Sequence, residues 1–366
     1  MAVRSRIPAT RENRMLIADR PGYILWDITY NCPLRCVHCY SESGRRQSRQ
    51  LGLEDNLRVA DAIISLAPDS VGLGGGEALV VPGIFEIIER ITSAGIGVYL
   101  YTGGWPLRER TMEEILRLRP QVHMSVDGAT AEVHDRIRGR AGSFDRAMKA
   151  LQLLDDASCE ARRRGEPPLM FGIDSTVLRS SFGQLERFCT EVTPRFPEMS
   201  FLYLSAVVPS GLASRQSFVE QELLSDEQAA WLASPELAEH LKSLAPPSLD
   251  LALSDNWGTS MHPDRIEAGN FFAAMAVEPD GAVRAMCIYE GVVGNILEDD
   301  PRLLWKRSVA RWHDPFVVET LEPVRTMQGW AEAARRIDRR FGTDDDRARI
   351  DRRPELSAAP SIRGRS

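Results

Sequence analysis

Between residues 22 and 204 the chain alternates apolar runs of strand length with amphipathic stretches of helical spacing, and few folds accommodate that rhythm. The runs Tyr23–Thr29, Ser70–Leu73, Gly97–Tyr101, Val122–Val126, Met170–Val177 and Ser200–Leu204 read as strands. Helical spacing fills the intervals: Leu57, Ala60, Ile63, Ile64 and Leu66 mark one face early on, and Leu185, Phe188, Cys189 and Val192 another near the end. Parallel strands need long crossover connections, which helices supply, so the pattern points to a parallel sheet or a partial barrel. Ligands in such folds collect at the C-terminal ends of the strands.

The rhythm breaks after residue 205. The expected organisation is an N-terminal segment (1–20), a strand–helix unit (21–205) and a linker with a helix from about Ser225 to Leu244 (206–265). A small α+β unit (266–341) and a charged tail expected to be disordered (342–366) complete the chain. The small unit carries a hairpin signal, Ala274–Val277 and Ala282–Cys287 around Glu278-Pro279-Asp280-Gly281. A net charge of −7 argues against a broad nucleic-acid-binding face but leaves room for a local basic patch. The longest apolar stretch, Ala78–Ile88, is interrupted by Pro82, Gly83 and Glu86 and is far too short to span a membrane. No nucleic acid, no membrane and a cytoplasmic location are therefore expected. In that reducing compartment, clustered thiols read as metal ligands rather than disulfides.

Three of the six cysteines, Cys32, Cys36 and Cys39, sit just after the first strand with C-x3-C-x2-C spacing. Three thiolates on one short loop hold three irons of a cubane and leave the fourth open to a ligand. The competing reading is structural zinc, which wants four ligands and has only His38 to add from this loop.

The loop and the segments downstream of it resemble the radical S-adenosylmethionine (SAM) enzymes. Gly74-Gly75-Gly76-Glu77 after the second strand is similar to the family's GGE motif, with Ala78 where a proline is usual. Ser125-Val126-Asp127-Gly128 after the fourth strand, His134–Gly139 and Gly142–Asp145 extend the resemblance. It implies a partial (β/α)6 barrel with a [4Fe–4S] cluster on Cys32, Cys36 and Cys39. SAM would lie against Gly75, Gly76 and Glu77, whose carboxylate accepts from the SAM amino group. Ser125 and Arg138 would sit near the SAM ribose or carboxylate, with Asp127, His38, Tyr40 and Thr102 completing the cofactor surroundings. A flavodoxin- or ferredoxin-type electron donor is implied as partner. The implied chemistry is reductive cleavage of SAM to a 5′-deoxyadenosyl radical that abstracts hydrogen from the substrate.

The segment Ala276–Cys287, with Gly294-Asn295-Ile296 and Leu304-Trp305, resembles the SPASM or twitch extension of this family, which usually carries auxiliary clusters. Here Glu267-Ala268-Gly269 stands where a cysteine would precede Ala-Gly, and only Cys287 remains. One cluster is therefore expected. Reactions that end by returning a hydrogen atom or rearranging the radical then fit best: epimerisation, decarboxylation or elimination. Cys287 is either a small buried hydrophobe on the hairpin strand or a hydrogen-atom donor. Only about twenty residues precede the first strand. That favours a polar small-molecule substrate of sugar or nucleoside type, with a peptide-modifying maturase as the alternative and a non-catalytic iron–sulfur or zinc protein as the reading from another class. Tyr101 and Trp105 are candidates to wall the pocket, with Arg179, Tyr203 and Arg215 as weaker ones; Cys159, Cys189 and His123 read as structural.

Overall fold

The computed structural model describes residues 20–47 and 49–356. The expected N-terminal segment, Arg20 apart, and residues 357–366 of the expected tail lie outside them. Strands β1 (Tyr23–Thr29), β2 (Ser70–Gly75), β3 (Gly97–Thr102), β4 (Gln121–Ser125), β5 (Phe171–Val177) and β6 (Phe201–Ala206) match the six predicted runs to within two residues at either end. All pair in parallel in chain order. β1, β2 and β5 are buried along almost their whole length, as expected of strands with helices on one face and the barrel interior on the other, while β3 alternates buried with partly exposed residues.

Two further parallel strands widen this partial barrel. β7 (Asp250–Ser254) adds to β6, and β8 (Ala274–Val277) adds to the opposite edge beside β1. The sheet order ends at β7 on one side, so no β7–β8 pairing closes the ring among the described residues and a seam remains. β9 (Ala282–Arg284) and β10 (Val292–Asn295) continue antiparallel beyond β8. Sequence placed β7 inside a linker because five residues of mixed polarity carry little periodic signal. It read β8 as one arm of a hairpin; that hairpin forms, but its first arm is also a barrel strand. Cys287 lies past the end of β9, in a turn rather than on the strand. The predicted 225–244 helix is two, Asp226–Leu232 and Pro235–Leu244, because Ser234 caps a new start and Pro235 cannot continue the old one.

The tail expected to be disordered begins with a helix, Asp344–Asp351, started by a Thr343/Asp346 capping box. Its charged composition reads as disorder, but the charges are partnered. Arg349 pairs with Glu42 and with Glu290 (2.6 Å), and Arg353 with Glu42 (2.8 Å). Glu42 belongs to the cysteine-bearing loop after β1 and has a positive φ of 55°, a conformation that costs a non-glycine residue energy and needs support.

These pairs join a larger buried network. Asp27 on β1 is fully buried and accepts from Arg284 of β9 (2.8 Å) and from the Tyr40 hydroxyl (2.6 Å). Arg284 Nε lies 3.2 Å from Glu278, which also accepts from Tyr30 (3.0 Å) and Arg46 (3.0 Å). Removing one member of such a pair strands a charge where water cannot reach it, at about 3–5 kcal/mol. Arg284→Met should therefore cost about that much in chemical denaturation, and Asp27→Asn added to it should recover part of the loss.

Candidate active site at the mouth of the barrel

The cysteine loop is fastened to its surroundings largely through backbone. Arg35 and Val37 N–H groups donate to the carbonyls of Arg138 (3.0 Å) and Ile137 (2.9 Å), the otherwise unpaired C-terminal end of helix Ala131–Arg138. Glu77 N–H donates to Asn31 O (2.9 Å), Gly76 N–H to Thr29 O (2.6 Å) and Leu212 N–H to Cys39 O (3.1 Å). Arg215 donates to Val37 O (2.7 Å), so this residue supports the loop from beneath. The Gly74–Gly76 turn is glycine for close approach: a Cβ on Gly76 would lie 2.3 Å from Asn31 O, and Gly75 has φ +85° with Thr29 O 2.7 Å from the same position.

Cys32, Cys36 and Cys39 line one wall of a cavity of about 380 Å³ at the C-terminal ends of the strands. Gly74, Gly75, Gly76, Glu77, Thr102, Ser125, His38, Tyr40 and Arg138 share it with them. Tyr23, Tyr101, Asp174, Asn256, Phe272 and Cys287 complete the lining. Trp105 turns the other way, outside this cavity and under Arg140 (3.7 Å). Arg179 donates to Glu220 O, and Tyr203 stacks on Phe201 within the barrel.

Glu77 is buried and has no basic group within ion-pair distance among the described residues. Thr102 Oγ1 donates to its Oε1 (2.8 Å) and Gly103 N–H to its Oε2 (3.0 Å). Burial outweighs these bonds and pushes the carboxyl up to about 7. Asp127 is the opposite case. It is fully buried and outside the cavity lining, yet Arg138 (2.7 Å) and His38 (2.8 Å) overcome burial and hold it well below the usual carboxylate range. The Thr176 N–H adds a hydrogen bond (2.9 Å). His134 accepts from Asp127 N–H (3.2 Å) and is lowered by burial to about 4, so it stays neutral. Asp135 caps the next helix through Gly142 and Phe144 N–H. Much of the His134–Asp145 motif is thus scaffolding for the loop.

Burial pushes Cys32 up to about 12 and Cys36 to about 11, so both keep their protons until a metal displaces them. Arg138 Nη1 stands 3.7 Å from Cys36 Sγ, positioned to compensate a thiolate. Among the described residues no three His, Cys, Asp or Glu side chains converge as ligands to one ion, and His38 is committed to Asp127.

The radical SAM superfamily profile matches residues 26–173. The chain carries a radical SAM domain. Mycofactocin maturase MftC of Mycobacterium tuberculosis is 36% identical over 176 residues, 47% of this chain and 42% of that protein. The AdoMet-dependent heme synthase of Methanosarcina barkeri is 31% identical over 173 residues, 47% of each chain. The matched segment thus spans less than half of either relative. Streptococcus suis SuiB bound to SAM shares the fold at TM-score 0.60 and 15% identity, over 79% of this chain and 66% of that one. The radical SAM domain uses a [4Fe–4S] cluster and SAM, and the residues present fit both. Three thiols along one wall would hold three of a cubane's four irons and leave the fourth for SAM. A buried carboxylate without a cationic neighbour suits an amino group. Glu77→Gln removes a charge-assisted acceptor of about 1.5–3 kcal/mol and should weaken SAM binding to reconstituted protein tenfold or more. Anaerobic equilibrium dialysis should also show wild-type affinity falling as pH drops through about 7, where Glu77 protonates, and the variant unresponsive.

Proposed function

We propose that this protein is a radical SAM enzyme acting on a peptide, with its cluster on Cys32, Cys36 and Cys39. The observation that carries the reading is the cavity itself: the three thiols, the Gly74–Gly76 turn and the uncompensated Glu77 line one space of about 380 Å³ at the mouth of the barrel. When bound and reduced, the cluster supplies one-electron cleavage of SAM, giving methionine and a hydrogen-abstracting 5′-deoxyadenosyl radical. The chain's own part is to hold the loop rigid, orient SAM through Glu77 and keep water away.

Sequence alone favoured a sugar or nucleoside. The rest of the lining supports a peptide better. Tyr23, Leu25, Tyr101, Met261, Phe272 and Ile288 give it a largely apolar, aromatic character, with Asp174, Thr176, Asn256 and Thr259 as polar points, a mixture suited to apolar side chains on a polar peptide backbone. The maturase among the relatives, and a SuiB structure with the precursor peptide SuiA, support the same direction. The heme synthase relative keeps a small molecule as the second reading.

Cys287 lines the same cavity, and burial pushes its thiol up to about 12. It retains its hydrogen at neutral pH, as a donor to a substrate radical must. In a reaction ending this way the thiol gives one hydrogen atom and becomes a thiyl radical, which an external one-electron reductant and a proton restore.

Anaerobic protein reconstituted with iron and sulfide, given SAM and a reductant, should release 5′-deoxyadenosine and methionine in equal amounts. Cys36→Ala should abolish both, and absence of 5′-deoxyadenosine from the unaltered protein sinks the proposal. Synthetic peptides should raise the rate above its basal level; stimulation by sugars or nucleosides alone decides for the second reading. In D2O the peptide product should gain one deuterium, and Cys287→Ala should still cleave SAM but form no such product.

A further inference from the structure

The outer face of the cysteine loop carries a charge pattern at odds with the protein's net −7. Arg35 and Arg45 are exposed there and bond to loop carbonyls: Arg35 to Cys32 O (2.9 Å) and Leu34 O (2.8 Å), Arg45 to Arg35 O (2.8 Å). Arg140 donates to Pro33 O (2.7 Å) and lies over the Trp105 ring, which Arg146 also approaches (5.5 Å). The pattern continues into a surface hollow lined by Arg108, Arg110, Arg146 and Lys149, with Glu109 its one acidic group. No ion pair neutralises any of these cations among the described residues, whereas arginines elsewhere on the surface commonly pair with carboxylates. The result is one contiguous cationic belt bonded directly to the carbonyls of the cysteine loop.

We propose that this belt is the docking face for an acidic one-electron carrier protein. The inference rests on reading Cys32, Cys36 and Cys39 as cluster ligands. Cys32 also lines a hollow on the outer face of the loop, together with Pro33, Arg35 and Arg45, so an electron can reach the cluster position from the side that the belt covers. Unpaired charge on an otherwise acidic protein steers an acidic partner to this face and repels it from the rest. Trp105 links the two parts of the belt, with the guanidinium groups of Arg140 and Arg146 both over its ring. The transfer balances simply: the carrier loses one electron and the oxidised cluster gains it, with no bond made or broken.

Arg108, Arg110 and Lys149 touch neither the loop nor the cavity, and Glu at the first two sits favourably at a helix N-terminus. The triple variant R108E/R110E/K149E therefore keeps the fold and separates docking from chemistry. With reduced flavodoxin as donor at low salt, it should form 5′-deoxyadenosine about tenfold more slowly or worse, and high salt should narrow the gap. With reduced methyl viologen, a small cation, its rate should equal or exceed that of the unaltered protein. An unchanged flavodoxin-driven rate overturns the proposal, as does an equal fall with both donors. Failure of the unaltered protein with viologen overturns the cluster reading instead. Binding of oxidised flavodoxin, followed by fluorescence anisotropy, then still decides the face: lost binding in the variant supports it and equal binding overturns it.

Discussion

The buried contact between Asp27 and Arg284 is the constraint on which the rest of the site hangs. It joins the first strand of the barrel to the hairpin beyond β8, at zero and 2% exposure of the two side chains. From it, Tyr40 reaches the cysteine loop through Asp27, while Glu278 and Arg46 carry the network around the loop's other flank. Charges so placed stabilise little against an apolar alternative, but they tolerate only one arrangement of their elements. A loop that must present three thiols along one wall benefits from that intolerance more than from added stability.

The two motif carboxylates divide the work by environment. Asp127 is saturated by Arg138, His38 and a backbone amide, and so acts on the loop's shape. Glu77 has hydrogen bonds but no counter-charge among the described residues, and so is left without a partner for its charge on the cavity wall. Carboxylates that look alike in a motif thus stand in opposite environments, one saturated and one uncompensated.

Much of this was legible in the sequence. Strands buried on both faces write themselves as apolar runs, and six of the parallel strands were found that way. The cysteine spacing and the Gly-Gly-Gly-Glu turn were legible because few other roles demand those residues together. The long-range charge partners were not: 257 positions separate Asp27 from Arg284. A trace was present, though, since an aspartate inside Tyr-Ile-Leu-Trp-Asp-Ile-Thr must find a partner when the strand is buried. Trp105 was misplaced because proximity to a glycine turn says nothing about which side of it a ring will take. The helix at 344–351 was missed because composition counts charges without showing where their opposites lie.

That helix has a consequence in time. Glu42 emerges early in synthesis, and the arginines that hold it, Arg349 and Arg353, come some 300 residues later. At ribosomal rates of about 5–20 residues per second, the cysteine loop exists for about 15–60 s without its last restraints. Until then the positive-φ turn at Glu42 lacks the two arginines that hold it in the finished fold.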